Sequence, residues 1–415
     1  MLKTPIARGV ALATLGATLA IPTMAQAAFV DDSKVNLELR NFYFNSDNRS
    51  VPSTSQSKSE EWAQGFILRA ESGYTEGTVG FGVDALGLLG VKLYSSEDTA
   101  GTGLMPSSFG NEAPDDFSAL GLTAKAKISK TILKVGTIEP KNMAISRSDS
   151  RLLPQTFKGA QVISNEIDGL TLDAGYLTEE NDRDSTNYED LKFSGKGGNT
   201  GDAPDDFLFA GATYSFTKDL KGAYYYSNLE EVYKQHSFNL IHVLPLGEDQ
   251  SLKTDLRYAR SSDDGSSTVD NKAFGAMVTY SLSGHSFGLG YQKMSGDTGF
   301  AYTGASSDPY LVNYVMLAAD FANADEKSWQ ARYDYNFAAM GIPGLTFMTR
   351  YVTGDNFGTN GDSKEWERDT DIGYVFQEGS LKNLGIKWRN GTYRSNSTRD
   401  IDQNRLIVSY TIPLM

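Results

Sequence analysis

Apolar positions recur at every second residue through most of this chain. Val35, Leu37 and Leu39 alternate with Asn36, Glu38 and Arg40, and Leu252, Leu256 and Tyr258 with Lys253, Asp255 and Arg257. Trp329, Ala331, Tyr333, Tyr335 and Phe337 interleave with Gln330, Arg332, Asp334 and Asn336. Near the C-terminus Leu406, Val408, Tyr410, Ile412 and Leu414 alternate with Arg405, Ile407, Ser409 and Thr411. A period of two marks strands with one apolar face. Strands that cross a membrane in a barrel carry this dyad, apolar toward lipid and polar toward the lumen.

The segments between the strands predict how they connect. Short turns are expected at 73–77, 129–131, 165–169, 217–220, 247–250, 283–285, 338–344 and 378–383. Longer polar loops are expected at 45–60, 96–117, 138–158, 178–206, 228–235, 261–271, 294–327, 354–366 and 395–403. Short turns at one end and longer loops at the other are the asymmetry of outer-membrane barrels. The alternation predicts about 18 antiparallel strands, provided 77–95 forms one long bulged strand rather than two. A barrel of that size leaves an aqueous channel. No fixed repeat is visible, which removes propellers and solenoids.

Composition supports an exported all-β chain. Lys3 and Arg8 precede an apolar stretch from Gly9 to Ile21, and Ala25-Gln26-Ala27 gives a small-x-small cleavage pattern. Residues 1–27 therefore read as a signal peptide and 28–415 as a single barrel domain. No later segment holds 18 consecutive apolar residues, so no helix spans the bilayer. Closure into a barrel is the other way to satisfy the backbone inside lipid. The chain has 22 Tyr, 21 Phe and 41 Gly and lacks cysteine, so rigidity has to come from closure rather than disulfides. Its formal charge of −14 argues against a nucleic-acid partner.

The strand cations sharpen the picture. An Arg or Lys facing lipid at the bilayer midplane costs about 2–4 kcal/mol. Parity places Arg40, Lys125, Lys127, Lys134, Arg257, Arg332, Arg350, Lys387, Arg389 and Arg405 on the lumenal face. Basic side chains along a channel wall favour anions, and arginine grips carboxylates through two parallel hydrogen bonds. The expected partners are small carboxylate solutes and outer-membrane lipid or lipopolysaccharide. The loop Ser146-Arg147-Ser148-Asp149-Ser150-Arg151-Leu152-Leu153-Pro154 mixes basic residues, hydroxyls and an apolar patch, and is expected to fold inward and narrow the channel. Tyr310-Leu311-Val312-Asn313-Tyr314-Val315 is too apolar for a loop in water and is expected to pack inside the barrel or across its mouth.

Other functions find less support. A barrel protease or phospholipase needs a histidine beside a nucleophile or an activated water. Only His236, His242 and His285 are present, with no constellation around them. No pattern suggests a metal or another cofactor. A plugged receptor has no room for its plug before the first strand. An adhesin or receptor built on the barrel is the remaining alternative.

Several strings resemble the OprD family of Pseudomonas-type outer-membrane porins. They include Arg40-Asn-Phe-Tyr-Phe44, Glu61-Trp-Ala-Gln-Gly-Phe66, Gly80-Phe-Gly-Val-Asp-Ala-Leu-Gly-Leu-Leu-Gly90 and Ser146 to Pro154. Pro309-Tyr-Leu-Val-Asn-Tyr314, Arg350-Tyr-Val-Thr-Gly-Asp355, Lys364-Glu-Trp-Glu-Arg-Asp369, Asn383 to Asn390 and Arg405-Leu-Ile-Val-Ser-Tyr410 extend the likeness over the whole mature chain. The resemblance implies an 18-stranded barrel, monomeric or a weak trimer, whose inward loops form an eyelet. It implies a basic ladder for a substrate carboxylate at Arg40, Arg257, Arg350, Lys387, Arg389 and Arg405. Arg147, Asp149 and Arg151 would stand at the eyelet, with Asp308 as the opposing acid. The 146–154 string is more similar to the branch that takes aromatic or simple organic carboxylates than to the branch for basic amino acids. One departure is the C-terminal Ile412-Pro-Leu-Met415, where such barrels usually end on an aromatic residue.

Overall fold

The computed structural model describes residues 29–49, 55–196, 204, 206–304, 306–317 and 320–415. The expected signal peptide lies outside the described residues. Among them, eighteen long strands close into one antiparallel barrel. They are β1 (Lys34–Arg49), β2 (Lys58–Glu71), β3 (Gly80–Tyr94), β4 (Asp116–Ile128), β5 (Thr131–Ile138) and β6 (Thr156–Ser164). Then follow β7 (Leu170–Asn181), β8 (Phe207–Ser215), β9 (Leu220–Leu229), β10 (Tyr233–Gly247), β11 (Gln250–Asp263) and β12 (Asp270–Leu282). The last six are β13 (His285–Ser295), β14 (Lys327–Asn336), β15 (Leu345–Phe357), β16 (Ser363–Val375), β17 (Gly385–Ser395) and β18 (Asp400–Pro413). Each strand pairs with its sequence neighbours, and β1 closes the barrel on β18 from Asn36↔Pro413 to Arg49↔Asp400. Closure leaves no open edge for aggregation or lipid.

The segment expected at 77–95 is a single strand. Trp62 faces Tyr94 while Ala63 faces Lys92, so Leu93 is a bulge that leaves the pairing intact. The turn end holds both described termini and the connections 129–130, 165–169, 216–219, 248–249 and 283–284. The loop end is less uniform than the sequence suggests. The expected long loop at 228–235 is only the connection 230–232, in which Glu231 adopts a left-handed φ of 58°. The length asymmetry rests on four segments, 95–115, 139–155, 182–206 and 296–326. Two of them are knitted together, because Ala301–Thr303 pairs antiparallel with Phe193–Gly195.

The described parts of these long segments turn inward, which changes the strand pattern. Outward positions such as Leu120, Leu289, Trp329 and Tyr351 are exposed and apolar, as a lipid face requires. In the loop half of the barrel the lumenal positions are apolar too. Phe42, Phe44, Ile67, Leu86, Leu88 and Phe117 point in from β1–β4 and enclose Leu104, Met105, Leu152 and Leu153 of two loops. On the far side, Phe157, Leu177, Phe207, Phe209, Leu229 and Tyr233 enclose Met143, Ile145, Leu191 and Ala301. Burying a side chain of this size is worth about 1.5–3 kcal/mol, so the loops are packed as a core. Leu152 sits on Gly65, where an added Cβ would stand 3.1 Å from the Leu152 carbonyl oxygen.

Candidate functional site

The inward loops fill one side of the lumen and leave a passage along β15–β18 and β1. A cavity of about 450 Å³ lies there, lined by Glu38, Arg40, Ser150, Arg151, Lys387 and Arg389 among others. Strand parity brings the side chains in. Arg40 shares the inward set of β1 with Phe42 and Phe44, Arg405 that of β18 with Gln403, and Arg350 that of β15 with Val352.

Beside the passage runs a strap of irregular chain, residues 311–317, packed against the lumenal wall. Its backbone is held by side chains from successive strands. Arg257 donates to the Leu311 carbonyl at 2.9 Å, and Gln330 to that of Val312 at 3.3 Å. Gln292 accepts from the Asn313 amide at 3.0 Å. Arg350 donates to the Tyr314 carbonyl at 3.2 Å and Arg405 to that of Met316 at 2.8 Å. Glu367 accepts from the Leu317 amide at 2.8 Å. A loop without regular structure would otherwise bury unpaired backbone groups, and the wall supplies the partners instead. Tyr310 adds a stacked contact, its ring 4.1 Å from the Arg257 guanidinium.

The second inward loop, 139–155, meets the first where the Asp308 amide donates to the Ser146 carbonyl at 2.9 Å. An alternating chain of charges ties it to the wall. Glu38 pairs with Arg40 at 2.8 Å, Arg40 with Asp149 at 2.7 Å and Asp149 with Arg147 at 3.3 Å. Arg147 reaches Glu139 at 3.0 Å, and Glu139 also receives both terminal nitrogens of Arg69. Burial pushes the Asp149 carboxyl up, but Arg40 and Arg147 outweigh it and hold it below the usual carboxylate range. Asp149 thus fixes Arg147 and Arg40, and Arg151 is free of it.

Most wall cations are neutralised in the same way. Arg257 pairs with Asp255 at 2.9 Å, Arg350 with Asp369 at 2.7 Å, Arg389 with Asp371 at 3.0 Å and Arg332 with Asp334 at 2.7 Å. Three guanidiniums differ. Among the described residues, no carboxylate comes within ion-pairing distance of Arg151, Arg183 or Arg405. Arg151 Nε donates to the Thr102 carbonyl at 3.0 Å, and Arg405 Nε to Gln403 at 2.7 Å. Among the described residues, Arg183 reaches the Ser150 and Ser148 hydroxyls, at 3.2 and 3.5 Å, and its buried Nε has no acceptor. Gly103, at a φ of 71°, makes room for them: a Cβ there would lie 3.3 Å from Arg183. Burial and the neighbouring charges of Arg405 and Arg183 push the Arg151 guanidinium well below its ordinary value. Asp308 lies close enough that Arg183 and Arg151 both pull its carboxyl down, although burial dominates and holds it above the usual range. Lys387 lines the cavity with no hydrogen bond or ion pair among the described residues.

Sequence reasoning missed several of these groups. Arg183 sits in a loop without periodicity, so nothing marked it. The carboxylates Glu365, Glu367, Asp369 and Asp371 occupy every inward position of that stretch of β16 beside the arginines. Their period of two in Lys364-Glu-Trp-Glu-Arg-Asp-Thr-Asp371 is a readable signal.

A closed, lipid-faced barrel with a packed lumen and a polar passage is a membrane channel of the kind that spans the bacterial outer membrane. The profile described as "outer membrane porin, OprD family" matches residues 27–414, and the chain belongs to that family. The porin-like protein GalP of Pseudomonas putida is 40% identical over 97% of this chain and 97% of its own length. Porin D of Pseudomonas aeruginosa is 37% identical over 93% of this chain and 92% of its own. The crystal structure of Pseudomonas aeruginosa OpdQ superposes with a TM-score of 0.86 at 59% identity, covering 94% of this chain and all of that one. A BenF-like porin from Pseudomonas fluorescens gives 0.88 at 42% identity, covering 93% and 100%. The protein is a channel and not an enzyme.

Proposed function

We propose that this porin passes small carboxylate-bearing solutes by diffusion, drawn along Lys387, Arg389 and Arg40 and handed through a constriction at Arg151, Arg183 and Arg405. The reading includes export by the N-terminal signal peptide and a topology with the four long segments at the cell exterior. The observation that carries it is the set of three guanidiniums that, among the described residues, have no carboxylate within ion-pairing distance. A buried cation normally finds a carboxylate; here Arg151, which lines the cavity, offers its unfilled side to the passing solute, and Arg183 and the buried Arg405 add their charge beside it. The surrounding ion pairs serve a different purpose. They lock the loops and keep the rest of the wall near neutrality, so the attraction is concentrated at the narrowest point.

Arg151 offers the direct test. Arg151→Ala should cut carboxylate uptake into proteoliposomes about tenfold, while heat-modifiable gel mobility stays that of a folded barrel. Arg151→Lys should recover only part of the loss, because an ammonium lacks the planar fork. Wild-type uptake in a folded Arg151→Ala protein would remove this constriction from the solute path.

A further inference from the structure

The three unpaired guanidiniums raise a physical difficulty. Arg151 and Arg405 carry like charges close together, and among the described residues no carboxylate comes within ion-pairing distance of either. Hydrogen bonds to carbonyl oxygens satisfy some donors but leave the mutual repulsion. Phe44 stands between the two elements that bring them together. It pairs in register with Arg405 on β18 and with Glu61 on β2, so all three side chains point inward at one level. Its ring is 3% exposed. The Arg151 guanidinium lies over that ring at 5.1 Å from its centroid, and the Arg405 guanidinium lies over the same ring at 5.4 Å. The negative face of an aromatic ring attracts a cation, most strongly where water is excluded. It does so without consuming the hydrogen-bond donors that a solute needs, which a carboxylate in the same place would do.

We propose that Phe44 is a positioning residue that holds Arg151 and Arg405 side by side at the constriction and thereby sets the strength of anion selection. It does not need to touch the solute. Its location also accounts for a departure from the lumenal pattern, an aromatic residue on the face that parity assigns to polar groups. This inference rests on the reading that the arginine cluster selects anions, and the experiment separates the two.

Purified channels would be placed in planar bilayers under a KCl gradient, and the anion-to-cation permeability ratio taken from the reversal potential. Uptake of benzoate and of benzamide would be followed in parallel. Phe44→Leu keeps an apolar side chain but has no ring face, and the ratio and the benzoate preference should fall about three- to tenfold. Phe44→Tyr should retain most of both. Trifluorinated phenylalanine at position 44 keeps the shape of the ring and weakens its negative face, so selectivity should fall with little change in conductance; this variant decides the matter if Phe44→Leu fails to fold. Wild-type selectivity in the fluorinated or Leu channel, with selectivity lost in Arg151→Ala, would overturn the role of Phe44 and leave the arginine reading intact. Equal losses in the Tyr and Leu variants would assign Phe44 to packing alone and also overturn it. Unchanged selectivity in Arg151→Ala would remove the arginine reading, and this inference with it.

Discussion

Replacing Glu61 with Ala removes a fully buried side chain that forms no ion pair among the described residues. Its two oxygens accept from the Ser95 and Ser107 hydroxyls, each at 2.8 Å, from the Thr102 amide at 3.1 Å and from the Thr102 hydroxyl. All four donors belong to the loop 95–115 or its entry, so Glu61 is the peg on which that loop hangs. Hydrogen bonds to a charged group contribute about 1.5–3 kcal/mol each. The hydroxyls can turn to water, whereas the buried Thr102 N–H is left orphaned at about 1–3 kcal/mol. Neighbouring bonds are not additive, so we expect a loss of about 3–5 kcal/mol in loop anchorage, or about two to four orders of magnitude in the closed-to-open ratio. The barrel ladder is untouched. The displaced Thr102 carbonyl is the acceptor of Arg151 Nε, so the constriction should loosen together with the loop. Single-channel recordings of Glu61→Ala should show raised conductance and open-channel noise, and limited proteolysis should cut within 95–115 while the gel mobility stays folded. Glu61→Gln, which keeps one acceptor, should fall between. Unchanged conductance, noise and protease resistance in Glu61→Ala would refute the reasoning.

Two further outcomes follow from the structure. Asp308 is held above the ordinary carboxylate value of about 4 by burial, so it is neutral until the pH rises through its raised value. Its negative charge then appears beside Arg183 and Arg151, and the anion permeability ratio should fall with rising pH; Asp308→Asn should flatten that step, and an unaltered pH profile in the variant would exclude Asp308 as its source. Leu289 is 71% exposed in the middle of β13 on the lipid face, so Leu289→Arg should cost about 2–4 kcal/mol in urea unfolding from vesicles, while Thr279→Arg on the lumenal face of β12 should cost far less; equal costs would contradict the assignment of faces.

How much was legible in the chain depended on what each residue answers to. Where lipid lies on one side and water on the other, the alternation is forced, and Leu406, Val408 and Tyr410 could be set apart from Arg405 by parity alone. Where loops fold onto the wall, both faces of a strand are apolar. Phe42, Phe44, Leu86 and Leu88 then read as a break in the pattern, and the extent of β3 was ambiguous for that reason. The inward packing of Leu152 and Leu153 was visible as an apolar patch in a polar loop. The pairing of charges was not visible. Asp149 stands two residues from both Arg147 and Arg151, and sequence could not say that it would reach Arg40 on β1 in preference to Arg151. Nor could it show that Arg257 and Arg350 spend their donors on the strap, since the strap crosses strands distant in the chain. Arg183 has no periodic neighbour, and only closure of the barrel brings it to Arg151.

The central claim is that this channel selects its solutes by their carboxylate. Uptake of benzoate and benzamide by proteoliposomes containing the wild-type protein would be compared at low and high ionic strength. The two probes match in size and shape and differ in charge. The account predicts that benzoate enters faster at low salt and that its advantage shrinks as salt screens the approach to the constriction. Equal uptake of the acid and its amide at low ionic strength would contradict it.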